Sequence, residues 1–190
     1  MIDLNIEFDK RQYSEIMAKV TLLADEKEIQ KAVNRAAKRA ADTAKAETVR
    51  QLSAEYTLPV SELRGTISTR NLASGGAVMQ ISSGPFALTK FQGTLPKEVM
   101  PPAKGPVIAQ VKKTGGGQVL GRSFVAKMKN GHKGVYERKG KERFPLEQHF
   151  GPSTTGMFKA NETVNEAVSK KAMDNFHERV IHEFERLMYG

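Results

Sequence analysis

The sequence predicts an α+β fold, in which a mostly antiparallel sheet with a basic β-meander packs against a long Ala-rich N-terminal helix and a C-terminal amphipathic helix. Three observations lead to this prediction. Apolar residues recur at helical spacing in two long segments, one in each half of the chain. Short extended segments separated by Gly, Pro and Asn fill the region between them. The length of 190 residues is typical of one domain.

We therefore interpret residues 1–190 as a single domain with four parts. An N-terminal strand and helix (1–25) lead into a helical region (26–64), followed by a β-rich region (66–152) and a C-terminal helix (157–190). An apolar share of 39% and a mean hydropathy of −0.46 indicate a modest core. We expect long helices packed on partner segments to suit such a composition.

Positive charge is concentrated in one part of the chain. The net charge is +9, and residues 112–143 carry ten Lys and Arg against two Glu, a local charge of +8. This predicts attraction to polyanions or to acidic protein surfaces. The absence of cysteine excludes disulfides and thiolate metal sites. Because no apolar run approaches the ~20 residues of a membrane span and no secretory signal pattern is present, we expect an intracellular protein without membrane contact.

The first residues show a strand signal followed by a helix-start signal. Apolar residues alternate with polar ones, which predicts a half-buried strand containing Ile2, Leu4, Ile6 and Phe8. Asp9 and Gln12 form a capping-box pattern, which predicts a helix that continues to about Leu23.

A second capping-box pattern, Asp25 with Glu28, opens a long helix predicted over about residues 26–54. Alanine favours helix formation and lets another backbone approach closely, although each alanine buries little area. This face is therefore either a packing surface within the chain or a helix–helix oligomer face. Its members are Ile29, Ala32, Val33, Ala36, Ala37, Ala40 and Ala44.

Breaker and turn residues organise the middle of the chain. Pro59 suits the first position of a short helix ending near Arg64. Prolines make residues 95–106 an irregular loop, and the following segment is a basic, glycine-rich loop. In order, the predicted extended segments are 66–72 and 77–82 as a hairpin, 107–111 before the basic loop 112–117, and Val119 with Leu120 after it.

A three-strand meander is predicted after the basic loop. The strands are Phe124–Met128, Val135–Arg138 and a third extended piece that ends at Gly151 and Pro152. Asn-Gly predicts a type I′ turn between the first two strands, and residues 139–141 make the second turn. The residues predicted to hold the hairpin are Phe124, Asn130, Gly131, Val135, Tyr136, Phe144, Pro145 and Leu146.

The final helix is predicted over about residues 161–189. Five apolar residues share one face, namely Met173, Phe176, Val180, Phe184 and Leu187. No catalytic constellation is visible in the chain. His177 and His182 are five apart and lie on different helix faces, and the Gly115–Gly117 loop lacks phosphate-loop spacing. We therefore predict a protein that is not an enzyme and holds no metal or cofactor.

The basic segment has two interpretations. Lysines on an edge strand discourage aggregation, so it can be a solvated strand surface. Alternatively, it contacts a polyanion, and nearby aromatic rings allow base stacking. The alternative function is a sequence-nonspecific nucleic-acid-binding protein using the basic hairpin 112–143. The candidate partner or polyanion contacts are Lys112, Lys113, Arg122, Lys127, Lys129, Lys133, Arg138, Lys139 and Lys141.

The order of elements resembles the minor tail protein Z family of siphophages and prophages, from about residue 28 to 187. The similarity includes the Ala/Arg-rich helix (32–50), the short helix LPVSELRGTI (58–67), the Gly-rich basic loop that leads into an aromatic hairpin (115–146), and the terminal helix. It is most specific in three motifs: Phe124-Val125-Ala126, Asn130-Gly131 and Arg143-Phe144-Pro145-Leu146.

This resemblance implies a structural virion protein without catalysis. It would act in tail completion or head–tail joining at the head-proximal end of the tail, after assembly in the cytoplasm of the bacterial host. The implied partners are other tail or neck subunits, such as the tail tube, tail terminator or connector. A homo-oligomeric ring and contact with DNA phosphates are further expectations.

Overall fold

The computed structural model describes residues 1–7, 9–11, 13–73, 75–97 and 106–189 and confirms the α+β class. The helices are α1 (Ser14–Leu23), α2 (Glu26–Glu55), α3 (Val60–Gly65), α4 (Thr154–Lys159) and α5 (Glu162–Tyr189). The strands are β1 (Ile2–Ile6), β2 (Ile67–Asn71), β3 (Ala77–Ile81), β4 (Phe86–Ala87), β5 (Val107–Ala109), β6 (Gln118–Leu120), β7 (Ser123–Lys127), β8 (Lys133–Arg138) and β9 (Leu146–Gly151).

The long helices α2 and α5 pack together and run antiparallel. Arg35, in the first half of α2, pairs at 2.7 Å with Glu183 near the end of α5. Glu55, the last residue of α2, accepts a hydrogen bond from Asn161, which precedes α5. Helices in close contact along their length bury a continuous apolar seam. The pair is the centre of the core.

The alanine face of α2 is buried within the chain. Ala37, Ala40 and Ala44 are each 0% exposed. The Thr48 hydroxyl, also on this helix, contacts the Met79 sulfur of β3 at 3.7 Å, so α2 lies between α5 and a sheet. Small side chains permit this close approach on two sides. The alanines are thus a packing surface inside the chain, and the alternative of a helix–helix oligomer face is wrong for Ala37, Ala40 and Ala44.

The strands form three antiparallel sheets rather than one. The first has the order β1-β3-β2, with Ile81 of β3 opposite both Ile2 and Ile67. The second has the order β4-β9-β8-β7 and contains the predicted meander. The third is the two-stranded pair β5-β6. The predicted hairpin before residue 82 and the N-terminal strand therefore share one sheet, away from the meander.

The two predicted helix starts have different outcomes. The Asp25 carboxylate accepts a hydrogen bond from the Glu28 backbone N–H at 2.8 Å, which confirms the cap of α2. By contrast, α1 begins only at Ser14 and has no side-chain cap. Asp9 instead accepts a hydrogen bond from the Arg11 backbone N–H at 2.9 Å, which closes a local turn. The Phe8 and Gln12 predictions lie outside the described residues, as do residues 98–105 of the predicted proline loop.

The structure of the C-terminal region differs from the sequence prediction in where the helix begins and in which residues of it are buried. Residues 157–159 belong to α4, a separate short helix whose cap, Ser153, accepts a hydrogen bond from the Gly156 N–H at 3.0 Å. Met173 is 44% exposed and is not part of the buried stripe, whereas Ala172 is 1% exposed. The stripe recurs every four residues, so it drifts around the helix, and its buried members are Val164, Val168, Ala172, Phe176, Val180 and Phe184.

Candidate interaction surface on the basic meander

The meander, residues 122–151, is fixed to the body through one face of its sheet. Val125 of β7 lies opposite Val135 of β8, and these two side chains are 4% and 0% exposed. Phe124 lies opposite Tyr136 on the other face. Tyr136 is buried, and this burial raises the pKa of its hydroxyl. Phe124 is half-buried, with the Arg138 guanidinium 5.2 Å from its ring centroid, so this face carries a cation–π contact.

The β7–β8 turn is not the predicted type I′ turn. A type I′ turn requires positive φ at both central residues, but among the described residues positive φ occurs only at glycines. The Gly131 N–H donates to the Met128 carbonyl at 2.9 Å, and the Met128 N–H donates to the His132 carbonyl at 2.8 Å. Gly131 has a φ of +84°. This is a type I turn followed by a left-handed glycine, the common three-residue hairpin loop.

The β8–β9 connection is longer than predicted, and we call residues 139–145 the tip loop. It closes through a hydrogen bond from the Lys139 N–H to the Pro145 carbonyl at 3.3 Å. Phe144 is 64% exposed, so the prediction that it packs to hold the hairpin is wrong. The Arg143 guanidinium lies 5.7 Å from the Phe144 ring centroid. Pro145 is exposed as well, whereas Leu146 is half-buried.

The predicted cations form three groups rather than one patch. The β7–β8 turn and the tip loop lie at opposite ends of the meander, and strands of this length separate their ends by about 15 Å. One group surrounds the β7–β8 turn, one surrounds the tip loop, and one lies between β5 and β6. The group at the β7–β8 turn contains Lys127, Lys129 and Lys133. The group at the tip loop contains Arg122, Arg138, Lys139 and Lys141, and the group between β5 and β6 contains Lys112 and Lys113.

Two of these cations have carboxylate partners. Lys112 pairs with Glu55 at 2.6 Å and lies over the Tyr56 ring. Its hydrogen bond to Glu55 raises the pKa of the Lys112 ammonium, and this contact joins the β5–β6 loop to the end of α2. Lys139 pairs with Glu147 at 3.5 Å. Within the part of the chain that the structure describes, the other seven candidate cations form no ion pair.

The group at the β7–β8 turn contains a repulsive pair. Lys127 and Lys133 lie directly opposite each other on neighbouring strands, and like charges in this arrangement destabilise a sheet. The Lys133 ammonium is partly compensated by a hydrogen bond to the Lys97 carbonyl. Lys127 and Lys129 are exposed without such a contact among the described residues. An anionic group placed here would relieve the repulsion.

Sequence reasoning missed several polar contacts of the meander. His149 and Glu137 are 3.0 Å apart on the inner face, and the Gln148 amide lies 2.9 Å from the His132 ring. Strand register creates both pairs, and turn chemistry alone does not specify register. Arg143 belongs to the basic segment but is not among the predicted contacts, and the structure places it exposed beside the Phe144 ring.

Among the described residues, no three His, Asp or Glu side chains come together as a metal site would require. His177 of α5 contacts the Tyr13 hydroxyl at 3.1 Å, where it joins α1 to α5. None of the described helices is both long and apolar enough to cross a bilayer. The features that stand out are a helical scaffold and an attached, positively charged meander.

This arrangement is an α+β scaffold with a charged surface. Residues 20–188 match the family model described as prophage minor tail protein Z (GPZ). The match spans most of the 190 residues, and the chain belongs to this family of structural phage tail proteins. Its expected partners are other components of the phage tail or neck. No curated protein and no solved structure is significantly similar to it.

Proposed function

We propose that this tail protein acts in tail completion or head–tail joining at the head-proximal end of the tail. It would assemble there from the cytoplasm of the bacterial host and use the meander to contact acidic surfaces of neighbouring subunits. The observation that carries the proposal is the set of seven exposed or half-exposed cations without ion pairs among the described residues. They are Lys113, Arg122, Lys127, Lys129, Lys133, Arg138 and Lys141.

These seven cations are available to a binding partner, because they form no ion pair within the described part of the chain. Cations that have no carboxylate partner within the chain remain available to attract an approaching anionic surface. Complementary charge raises association rates and fixes the register of docking more than it adds raw affinity. The cations at the β7–β8 turn and those at the tip loop lie at opposite ends of the meander. A partner that contacts both groups is therefore also fixed in orientation. This suits a joint between two large assemblies.

The experiment replaces these seven cations by Gln in a phage that depends on this chain for infectivity. We expect heads and tails to accumulate unjoined, as seen by electron microscopy and plaque counts, while the purified variant unfolds at about the wild-type temperature. The matched control removes seven exposed cations from outside the meander: Lys19, Lys27, Lys38, Arg39, Arg64, Arg70 and Lys170. Normal joining by the meander variant, or equal defects in both variants, would contradict the proposal.

A second candidate function is sequence-nonspecific nucleic-acid binding by the same meander. The observation that favours it is the position of exposed aromatic rings beside cations. Phe144 is 64% exposed with Arg143 against its ring, and Phe150 is 53% exposed on β9. Aromatic rings in basic grooves stack on bases of single strands, and phosphate contacts weaken steeply with salt.

A gel-shift titration separates the two functions. If the isolated chain binds random single-stranded or duplex DNA tightly, with an affinity that falls steeply between 50 and 200 mM salt, nucleic acid is the partner of the meander. If binding is negligible while the seven-cation variant still blocks joining, the partner is a protein surface.

A further inference from the structure

The molecule has an acidic end opposite its basic meander. Residues 1–28 contain seven Asp and Glu against four Lys and Arg, and residues 174–189 contain four against two. These segments come together because Tyr13 contacts His177 and because α2 and α5 are antiparallel. We call this region the acidic end, and its formal charge is −5.

The basic meander lies at the other end of α2. Lys112 pairs there with Glu55, the last residue of α2, and lines one cavity together with His149 and Phe150 of β9. Thirty helical residues span about 45 Å. The tip loop of one molecule therefore cannot reach the acidic end of the same molecule. It can reach the acidic end of a second copy.

The acidic end carries an apolar groove between α1 and α2. Its volume is about 410 Å³, and its apolar lining is formed by Met17, Ala24, Ile29 and Val33. Asp25 and Glu26 contribute two carboxylates to the same groove, and Lys10 contributes one ammonium. Next to it, Leu22 and Leu23 of α1 are 84% and 64% exposed. An exposed apolar surface of this kind with a polar rim is typical of a protein interaction site.

The tip loop has the complementary chemistry. Phe144 projects an aromatic ring that is 64% exposed, and Arg143 lies against it. Lys141 adds a second exposed cation to the loop. Binding hot spots of protein interfaces are enriched in aromatic residues and Arg. In such a contact the ring can fill an apolar pocket while the guanidinium pairs with a carboxylate at its edge.

We propose that the tip loop of one copy docks into the α1–α2 groove of the next copy. Phe144 would enter between Met17 and Ile29, and Arg143 would face Glu26. The contact uses two different surfaces, so it is heterologous, and repeated contacts of this type close into a ring when the rotation permits. This inference deepens the proposed function, because it identifies a second copy of the chain as one partner of the meander. It rests on the chain being built into the particle as a ring.

Cysteine crosslinking tests whether the tip loop of one copy contacts the groove of another. The method suits this chain because it has no cysteine of its own. Thr21 lines the groove and Glu142 lies in the tip loop, and both are exposed. Chains carrying Thr21→Cys mixed with chains carrying Glu142→Cys should form a disulfide-linked dimer under mild oxidation, whereas each alone stays at background. Arg64→Cys, on α3, replaces Thr21→Cys in the control mixture and should give no product. Equal crosslinking in all mixtures, or none in the first, would overturn the proposal.

Sedimentation of the purified full chain tests whether the Phe144 ring and the Arg143 charge hold two copies together. Phe144→Ala and Arg143→Glu should each weaken self-association by about tenfold or more, and Phe150→Ala is the matched aromatic control with no expected effect. The double variant Arg143→Glu with Glu26→Lys reverses both charges and should regain most of the lost association. Unchanged association in Phe144→Ala, a chain that is monomeric throughout, or failure of the double variant to recover would each contradict the contact.

These results are distinguishable from those that test the proposed function. If the chain does not self-associate but loss of the seven unpaired cations still blocks joining, the docking inference fails and the joining function stands. If self-association follows the prediction but joining is normal in the seven-cation variant, the docking contact stands and the joining function fails.

Discussion

The α2–α5 layer and the meander differ in how much of their surface is available to partners. The inner faces of α2 and α5 are almost completely buried, with Ala40, Val180 and Phe184 each at 0% exposure. The meander buries Val125 and Val135 on one face and Tyr136 on the other, but it leaves both of its turns exposed. The comparison indicates that stability depends mainly on the helices, whereas the charged turns contribute little to it. Substitutions in the two regions should therefore separate folding from assembly.

The largest expected effect is in the helical layer. Phe184→Ala removes a ring that is 0% exposed, and the resulting cavity should lower the free energy of unfolding by about 3–5 kcal/mol. Met173→Ala on the same helix is the control, because Met173 is 44% exposed, and we expect a loss of no more than about 0.5 kcal/mol. Urea unfolding followed by circular dichroism measures both. Similar losses of unfolding free energy in the two variants would show that the buried stripe of α5 does not stabilise the core.

A second test concerns the close packing of alanine on α2. Ala40→Leu adds volume at a site that is 0% exposed, so overpacking should cost about 1–3 kcal/mol. Ala46→Leu places the same side chain at an exposed position of α2 and should change stability by less than about 0.5 kcal/mol. Thermal unfolding would compare the two. A neutral Ala40→Leu would mean that the alanine face is loosely packed.

The third effect is smaller and lies in the meander. Gly131 has a φ of +84°, a conformation that disfavours a side chain, and Gly131→Ala should cost about 1–2 kcal/mol. Gly140→Ala is the control in the tip loop, where a Cβ would meet nothing within 4 Å, and we expect no loss of stability. If both variants are neutral in urea unfolding, the β7–β8 turn does not have the left-handed glycine described above.

The smallest effect depends on pH. The Glu47 carboxylate accepts hydrogen bonds from Arg50, at 2.9 Å from its Nε, and this contact lowers the pKa of the carboxyl from its ordinary value of 4.5. The stabilisation is therefore complete above pH ~4.5 and is lost as the pH falls through the lowered pKa. Glu47→Gln should be less stable than wild type by about 0.5 kcal/mol at pH 7.

Chemical unfolding at pH 7 and near pH 3 would test the sign of this effect. The difference between Glu47→Gln and wild type should shrink at the lower pH, because a larger fraction of the wild-type carboxyl is then protonated. A difference that grows on acidification would contradict the assignment.

The sequence predicts the helices well because their signals are local. The Asp25 cap and the alanine spacing of α2 depend only on residues within a few turns of each other. The hairpin β2–β3 is equally local, with glycines between two short extended segments. The sequence also locates the positive charge, since the +8 segment is contiguous in the chain.

Other features depend on tertiary contacts and are not visible in the sequence. The division into three sheets follows from β1 pairing with β3, about 75 residues away, and no local pattern specifies such a partner. The type of the β7–β8 turn depends on φ at Asn130, which Asn-Gly leaves open. The separation of the cations into groups, and the exposure of Phe144, follow from the length of the tip loop and from register.

The most direct test of the account is the position of the chain in assembled tails. A small electron-dense label inserted in the exposed loop between Gly115 and Gly117 avoids both the helical layer and the tip loop. Electron microscopy of labelled particles should show the label at the junction between head and tail. A label at the distal tip of the tail, or the absence of both labelled and unlabelled chains from particles, would contradict the proposed role in joining.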